Sequence, residues 1–293
     1  MPFSSLLQFF VSGVTVGATY GLTALGFTMI YNTTGIINFA QGEFVMLGGM
    51  LAVFSMTWGG LPLPAAVPLA VLLVTAIGVA VDRLTIRPMR GRPPVTLVIV
   101  TIGISILLRG GAMLVFGKDT HSLPPFSEGA AIPIAGASLL PQTLWVVGIT
   151  IAVVAAMKMF FDRTITGKAM LACACDRRAA SLMGINVDVM VTLSFAFSAL
   201  VGALGGVILA PITLTAYDVG VLLGIKGFAA CILGGLGNPF GAVAGGLIIG
   251  VLESMGAGIL SSGYKDAIAF VILLALLFLR PSGLFGKASA DRV

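Results

Sequence analysis

Residues 189–217 read VMVTLSFAFSALVGALGGVILAPITLTAY and contain no Asp, Glu, Lys or Arg. About 20 predominantly apolar residues are enough to cross the ~30 Å hydrocarbon core of a bilayer. This stretch therefore predicts a membrane-spanning segment rather than the core of a soluble domain. Other charge-free stretches cover residues 1–42, 44–81, 93–108, 129–157, 227–252 and 267–279.

The composition supports a membrane location for the whole chain. Its 293 residues are 58% hydrophobic and 9% charged, and the mean hydropathy is +1.11. A soluble domain carries about 25% charged residues, and a disordered chain needs low hydrophobicity and high charge, so both classes are excluded. The net charge of +5 is typical of basic cytoplasmic loops, and we expect no nucleic-acid partner.

The chain offers few residues for catalysis or metal binding. Its single histidine and three cysteines lack the spacing of a zinc site, and no Ser/His/Asp or paired-carboxylate arrangement stands out. No Gly-x-x-x-x-Gly-Lys-Ser/Thr sequence is present, so we expect no nucleotide to bind here. We predict no catalytic residues, no metal site and no bound cofactor.

Prolines and glycine pairs divide the longer apolar stretches, since both interrupt helices. The resulting fold is an all-α polytopic membrane protein, a single transmembrane domain over residues 1–293 with about eight or nine transmembrane or re-entrant segments. The segments 36–58 and 221–237 are rich in Gly and polar residues, so they are candidates for broken or re-entrant helices. The nine segments are 5–31, 36–58, 64–86, 94–116, 142–161, 189–210, 221–237, 240–259 and 265–279.

Basic residues predict the orientation, because cytoplasmic loops are enriched in Lys and Arg. They concentrate in a loop at 82–92, in a loop at about 162–188 with its flanking residues, and in the tail from Arg280. Nine segments then place the N-terminus outside and the C-terminus in the cytoplasm.

Glycines recur every fourth residue, an interval that lets helix backbones approach closely in lipid. We expect close helix packing at these positions: Gly13 with Gly17 and Gly21, Gly202 with Gly206, Gly241 with Gly245, and Gly246 with Gly250.

Ionisable residues at membrane depth are expensive to bury, so they are candidates for a translocation path. Glycine-bearing polar stretches can line a water-filled cavity where a helix is broken. For Glu43 a structural hydrogen bond or ion pair is the alternative, and for Lys226 it is an ammonium group that reaches to the outer interface. The path candidates are Asn38, Gln41, Gly42, Glu43, Lys226, Gly234, Gly235, Gly237 and Glu253.

The loop at 162–188 predicts a docking element for a cytoplasmic partner. Asp176 can cap a short helix that Gly184 ends, and the residues between them give it a small apolar face that suits a groove. A basic loop lying on anionic lipid is the alternative. The candidate docking residues are Gly167, Asp176, Arg177, Arg178, Ala179, Ala180, Leu182 and Gly184.

The stretch Arg178–Gly184 fits the Ala-Ala-x-x-x-Gly loop by which importer permeases contact their ATPases. The chain as a whole resembles the LivH-type permeases of branched-chain amino acid ABC transporters. Two positions depart from that pattern, since Arg178 replaces a usual Glu and Gln41 replaces a common His. The stretches that carry the resemblance are 35–43, 167–186, 230–237, 264–270 and 280–286.

The resemblance implies an importer permease that works by alternating access in a bacterial inner membrane. Its expected partners are membrane lipid, a related second permease, two cytoplasmic ATP-binding subunits that hold ATP and Mg²⁺, and a periplasmic or lipid-anchored substrate-binding protein. Branched-chain amino acids are the expected substrates, with urea, short amides or other neutral amino acids as alternatives. An ion-coupled secondary transporter and a passive channel are the alternatives from other classes.

Overall fold

The computed structural model describes residues 3–134, 136–259, 261–280 and 282–286. Their fold is all-α, as the sequence predicted, apart from one hairpin of β1 (Ile132–Ile134) and β2 (Ala137–Leu139). The helices are α1 (Phe3–Thr34), α2 (Gln41–Thr57), α3 (Leu63–Val81), α4 (Pro94–Phe116), α5 (Pro141–Arg163), α6 (Ile165–Cys175), α7 (Arg177–Leu182), α8 (Val187–Thr213), α9 (Val219–Gly234), α10 (Pro239–Ile259) and α11 (Lys265–Leu279).

Six of these helices are long and apolar enough to cross a membrane: α1, α3 with the helical turns that follow it, α4, α5, α8 and α10. The two segments expected to be broken contain shorter helices. With a rise of about 1.5 Å per residue, the 17 residues of α2 and the 16 of α9 extend roughly 25 Å, less than the hydrocarbon core. Residues 35–40 form an irregular connection before α2, and Gly235–Asn238 form a turn after α9.

The contact between α1 and α10 forms the centre of the bundle. A Cβ atom on Gly250 would overlap the backbone of Gly17, and one on Gly246 would overlap the backbone of Gly21. On α1, Gly13 is equally close to the backbone of α10. Both helices therefore place their four-residue glycine rows in one interface, and the predicted close packing is confirmed.

Glycines also bring α2, α8 and α9 against their neighbours. Gly206 on α8 leaves no room for a side chain against the carbonyl of Val45 on α2. Gly245 on α10 meets the backbone of Ala230 on α9 in the same way. Large parts of α1, α2 and α8 are buried, whereas α3, α4 and α5 expose apolar side chains such as Leu72, Leu107 and Ile151. We expect these three helices to face lipid.

The two ends of the bundle differ in structure. At one end, here called the hairpin end, β1 and β2 lie beside the first turns of α1. At the same end the backbone of His121 pairs with that of Thr215, which lies in the connection between α8 and α9. At the other, the docking end, α6 and α7 lie between α5 and α8. The basic tail residues Lys287 and Arg292 lie outside the described residues.

Both basic loops are more helical than the sequence predicted. Residues 82–92 continue α3 through a π-turn and a 3-10 turn as far as Met89, and ion pairs hold this extension in place. Arg90 bonds both Asp82 and Asp188, so it joins the extension to the start of α8. Helix α6 was not expected. It forms because Met170 and Cys173 are buried in a cluster with Ala180 and Met190.

The glycine interface predicts a sharp difference between two substitutions of the same kind. Gly250→Leu forces α1 and α10 apart, because its Cβ has no space, and we expect the free energy of unfolding to fall by about 2 kcal/mol or more. Gly148→Leu on α5 is the control, since no other helix has an atom within 4 Å of the position that its Cβ would occupy. The thermal unfolding midpoint of the purified protein in detergent measures both. Equal midpoints for the two variants would contradict the interface.

Candidate functional site

The path candidates on α2 lie where this helix begins deep in the bundle. Gln41 is completely buried, and its Nε2 donates to the carbonyl of Ser198 at 3.2 Å. The Ser198 hydroxyl in turn lies within hydrogen-bond distance of two acceptors, Oε1 of Gln41 and the carbonyl of Gly26, the latter 2.9 Å away. Asn38 closes the preceding turn by accepting from the Ala40 amide. The structure therefore gives Gln41 the role of joining α2 to α1 and α8.

Gly42 and Glu43 bring α2 against the first turns of α9. Neither Gly42 nor its neighbour Gly220 leaves room for a Cβ, so the two backbones touch. Glu43 is buried beside Gly220, and its Oε1 accepts a hydrogen bond from Ser105 on α4 at 2.8 Å. Its Oε2 has no hydrogen-bond partner among the residues that the structure describes. A buried carboxylate with one free oxygen thus lies at the junction of α2, α4 and α9.

Lys226 and Glu253 form a buried ion pair between α9 and α10. Lys226 Nζ is 2.9 Å from Glu253 Oε1 and 2.6 Å from Asp266 Oδ1 at the start of α11. Tyr20 donates to the same Glu253 oxygen at 3.3 Å, and Lys265 lies 3.4 Å from it. Four helices therefore meet at this cluster. Lys226 itself is 6% exposed, and it is paired with the buried Glu253 and with the more exposed Asp266.

The remaining path candidates lie at the opposite end of α9. Gly235 and Gly237 have positive φ angles of 103° and 90°, which L side chains rarely adopt, and they form the turn into α10. Gly234 touches the backbone of Gly241, and the carbonyl of Gly237 accepts a hydrogen bond from the side chain of Asn32. Gly234 is the last residue of α9, the helix that carries Lys226, and all three glycines lie near the docking end. The structure does not bring them together with Glu43 or Glu253.

The docking candidates form a short helix with one buried and one exposed face. Asp176 caps α7 as predicted, because its Oδ1 accepts from the amides of Arg178 and Ala179 at 2.8 and 3.0 Å. Ala180 faces the bundle and is buried, whereas Leu182 and Met183 are 89% and 83% exposed. Gly184 follows with a φ of 84°. Two large apolar side chains in solvent beside a fixed helix are typical of a partner-binding surface.

Other docking candidates connect this helix to the rest of the bundle. Gly167 in α6 packs against the backbone of Phe160 and Phe161, where a Cβ would not fit. Arg177 opens α7, and its guanidinium lies beside Gly35, which ends α1. Burial, together with the nearby charge of Arg90, lowers the pKa of Arg177 from its ordinary value. The first residue of α7 is therefore packed against the connection that leads into α2.

Sequence reasoning found buried charged residues and Gln41 but missed several of their partners. Tyr20, Ser105 and Ser198 are ordinary polar residues within apolar helices, and their roles depend on helices distant in sequence. The spacing of these residues gave no signal that could have found them. Within the described part of the chain, no three His, Cys, Asp or Glu side chains are grouped so as to hold a metal ion.

Comparison with known proteins places this architecture in a family. The family described as "Branched-chain amino acid transport system / permease component" matches residues 9–277. The chain belongs to this family of transport permeases. The permease is 33% identical over 300 residues to BraD of Pseudomonas aeruginosa, a high-affinity branched-chain amino acid transport system permease protein, with 98% of each chain covered.

Another relative and a solved structure are also similar to the chain. The permease is 33% identical over 307 residues to LivH of Escherichia coli, with 99% of each chain covered, and LivH carries the same description as BraD. The solved structure is PsaBC from Streptococcus pneumoniae in complex with Fab, which matches with a TM-score of 0.47 at 16% identity and covers 95% of the permease and 91% of that chain.

The ion pair predicts strong coupling between two substitutions. Lys226→Met leaves the buried Glu253 carboxylate without its nearest cation, and we expect about 3 kcal/mol of destabilisation. Combining it with Glu253→Gln removes the uncompensated charge, so the double variant should regain part of that loss. The free energy of unfolding in mixed micelles, measured for both single variants and the double, gives the coupling energy.

The control for this cycle is Lys158→Met. Lys158 is a membrane-helix lysine whose Nζ lies 5.8 Å from the ring centre of Phe240, away from this cluster. We expect Lys158→Met to lower the free energy of unfolding only slightly. If the two single effects at Lys226 and Glu253 simply add, the pair is not coupled.

Proposed function

We propose that this chain is the permease subunit of an ATP-driven importer and forms, as a single domain, part of the translocation path for branched-chain amino acids. The observation that carries the proposal is the family match over residues 9–277, together with 33% identity to two branched-chain amino acid permeases over almost their full length. The buried polar groups between α1, α2, α9 and α10 support it, because a path for a polar solute needs such groups inside an apolar bundle.

ATP hydrolysis takes place on other subunits in this proposal. The permease works with two cytoplasmic ATP-binding subunits that hold ATP and Mg²⁺, a related second permease, and a periplasmic or lipid-anchored binding protein. The surface offered to the ATP-binding subunits is the exposed face of α7. Its fixed position supports this role, because a capped helix packed through Ala180 can transmit movement into the bundle.

The docking end is cytoplasmic in this proposal, and the hairpin end, with the N-terminus, faces outside. The distribution of charge supports this orientation, since Arg83, Arg87, Arg90 and Arg92 follow α3 at the docking end and further basic residues lie in α6 and α7. Alternating access would then open the bundle first toward the hairpin end and, after ATP binds, toward the docking end.

The alternatives differ in their substrate or in their energy source. Urea, short amides and other neutral amino acids are the alternative cargo for the same architecture. An ion-coupled transporter would need no ATP-binding subunit, and a channel would pass solute without ATP. Buried charged groups such as Lys226 and Glu253 favour a zwitterionic solute over urea or amides.

Uptake of labelled leucine by the complete complex in proteoliposomes tests the proposal. We expect uptake that requires ATP on the ATPase side and is blocked by excess unlabelled isoleucine but not by urea. An empty-vesicle preparation and a complex with inactive ATP-binding subunits are the controls. Leucine uptake that persists without ATP would contradict an importer, and no leucine uptake by a fully assembled complex would reject this substrate.

The exposed face of α7 predicts a specific loss of coupling. Leu182→Asp together with Met183→Asp places two charges in the proposed interface, and both side chains are exposed, so the fold should not change. We expect leucine uptake to fall by roughly tenfold or more, while the thermal midpoint of the isolated permease stays the same.

Ile165→Asp is the matched control for this pair. Ile165 is an apolar residue in α6 with 89% exposure, close in sequence but on a different helix. We expect the Ile165→Asp variant to take up leucine at the normal rate. Normal uptake and normal co-purification of the ATP-binding subunits in the α7 variant would rule out α7 as the docking surface.

A further inference from the structure

A cavity of about 180 Å³ opens beside the Lys226–Glu253 pair, between α1, α2, α8, α9 and α11. It extends from the α8–α9 connection at the hairpin end to the side chains of Tyr20 and Lys226. Its volume suits a small solute, since sites for drug-sized ligands usually begin near roughly 300 Å³. The apolar part of its wall includes Val16, Val45, Leu209, Leu222 and Leu223.

Two lysines contribute the only charged side chains to the described lining of this cavity. Lys226 comes from α9 and Lys265 from the first residue of α11. Both ammonium groups are close to Glu253 Oε1, at 2.9 and 3.4 Å. The cavity therefore combines a branched aliphatic wall with two ammonium groups that carboxylates already bind, an arrangement that a neutral polar solute does not require.

The carboxylates near these lysines are unequal in their access to solvent. Glu253 is 1% exposed and is fixed between α9 and α10, whereas the Asp266 side chain is 56% exposed and bonds Lys226 from the surface. Lys226 is thus bound by one buried carboxylate and by one accessible carboxylate. An accessible carboxylate on Lys226 is the kind of contact that the carboxylate of a solute can replace, because the two groups have the same charge and geometry.

We propose that this cavity binds the carboxylate of a small aliphatic amino acid through Lys226 and Lys265, with the aliphatic side chain against the leucine and valine wall. The proposal rests on the importer function proposed above and adds the position and the recognising residues. The substrate carboxylate would displace Asp266 from Lys226. Glu253 would stay in place, so that two carboxylates still balance the two ammonium groups of Lys226 and Lys265. Urea and sugars lack the carboxylate and should not bind here.

The first test measures which chemical group the cavity recognises. Thermal unfolding is measured in detergent on the complex of the permeases with their ATP-binding subunits, without the binding protein. The added ligand is leucine, 4-methylpentanoate, which keeps the carboxylate but lacks the amine, or leucinamide, which lacks the carboxylate. We expect leucine and 4-methylpentanoate to raise the unfolding midpoint and leucinamide and urea to leave it unchanged. An equal shift with leucinamide would overturn carboxylate recognition.

The second test locates the binding residues. Lys265 is half-exposed, so Lys265→Gln should fold normally, yet it should lower leucine uptake several-fold and remove the midpoint shift. The double variant Lys226→Met with Glu253→Gln leaves no buried charge unpaired in the pair, and we expect its uptake to fall by roughly tenfold or more with normal assembly. Lys158→Met is the control that keeps both uptake and the shift.

The outcomes separate this proposal from the importer function. If the unmodified complex transports leucine and both lysine variants do so at the same rate and KM, the cavity proposal is wrong and the function stands. If a fully assembled complex transports another solute but not leucine, the branched-chain assignment fails. In that case the shift produced by 4-methylpentanoate still decides whether the cavity binds a carboxylate.

Discussion

The backbone contact between α1 and α10 is the constraint on which the rest of the bundle depends. Neither helix has space for a side chain at the glycines that meet there, so the axes are held close along several turns. Without a hydrophobic driving force between helices in lipid, this close approach supplies the packing energy. It also brings the side chains of Tyr20 on α1 and Glu253 on α10 within hydrogen-bond distance, at 3.3 Å.

The glycine rows show how far the sequence could predict the fold. Spacing alone identified the faces of α1 and α10, because the four-residue interval follows from helix geometry. The choice of partner did not follow from it, since Gly202, Gly241 and Gly246 have similar spacing and only the assembled bundle assigns each its neighbour. The same limit explains α6, whose burial depends on Met190 in a later helix.

The sequence identified buried charged residues but not how they are grouped. Charge within apolar segments was enough to select Glu43, Lys226 and Glu253, because burying them needs compensation. That Lys226 pairs with Glu253 while Glu43 bonds Ser105 depends on the tilt and register of α9, which no local pattern encodes. Gly234 and Gly235 were grouped with these residues because they share the segment 221–237 with Lys226. In the structure they lie at the docking end of α9, away from Lys226.

A continuous set of contacts runs from the docking surface to the cavity. Arg177 at the start of α7 lies beside Gly35, the residues after Gly35 lead directly into α2, and Gly42 on α2 touches Gly220 on α9. Helix α9 then carries Lys226. Because the contacts at Gly42 are backbone to backbone, α9 cannot stay in place if the first turn of α2 moves toward it. A displacement of α7 therefore has a short steric route to the lysine end of the cavity, which is the coupling that an ATP-driven importer requires.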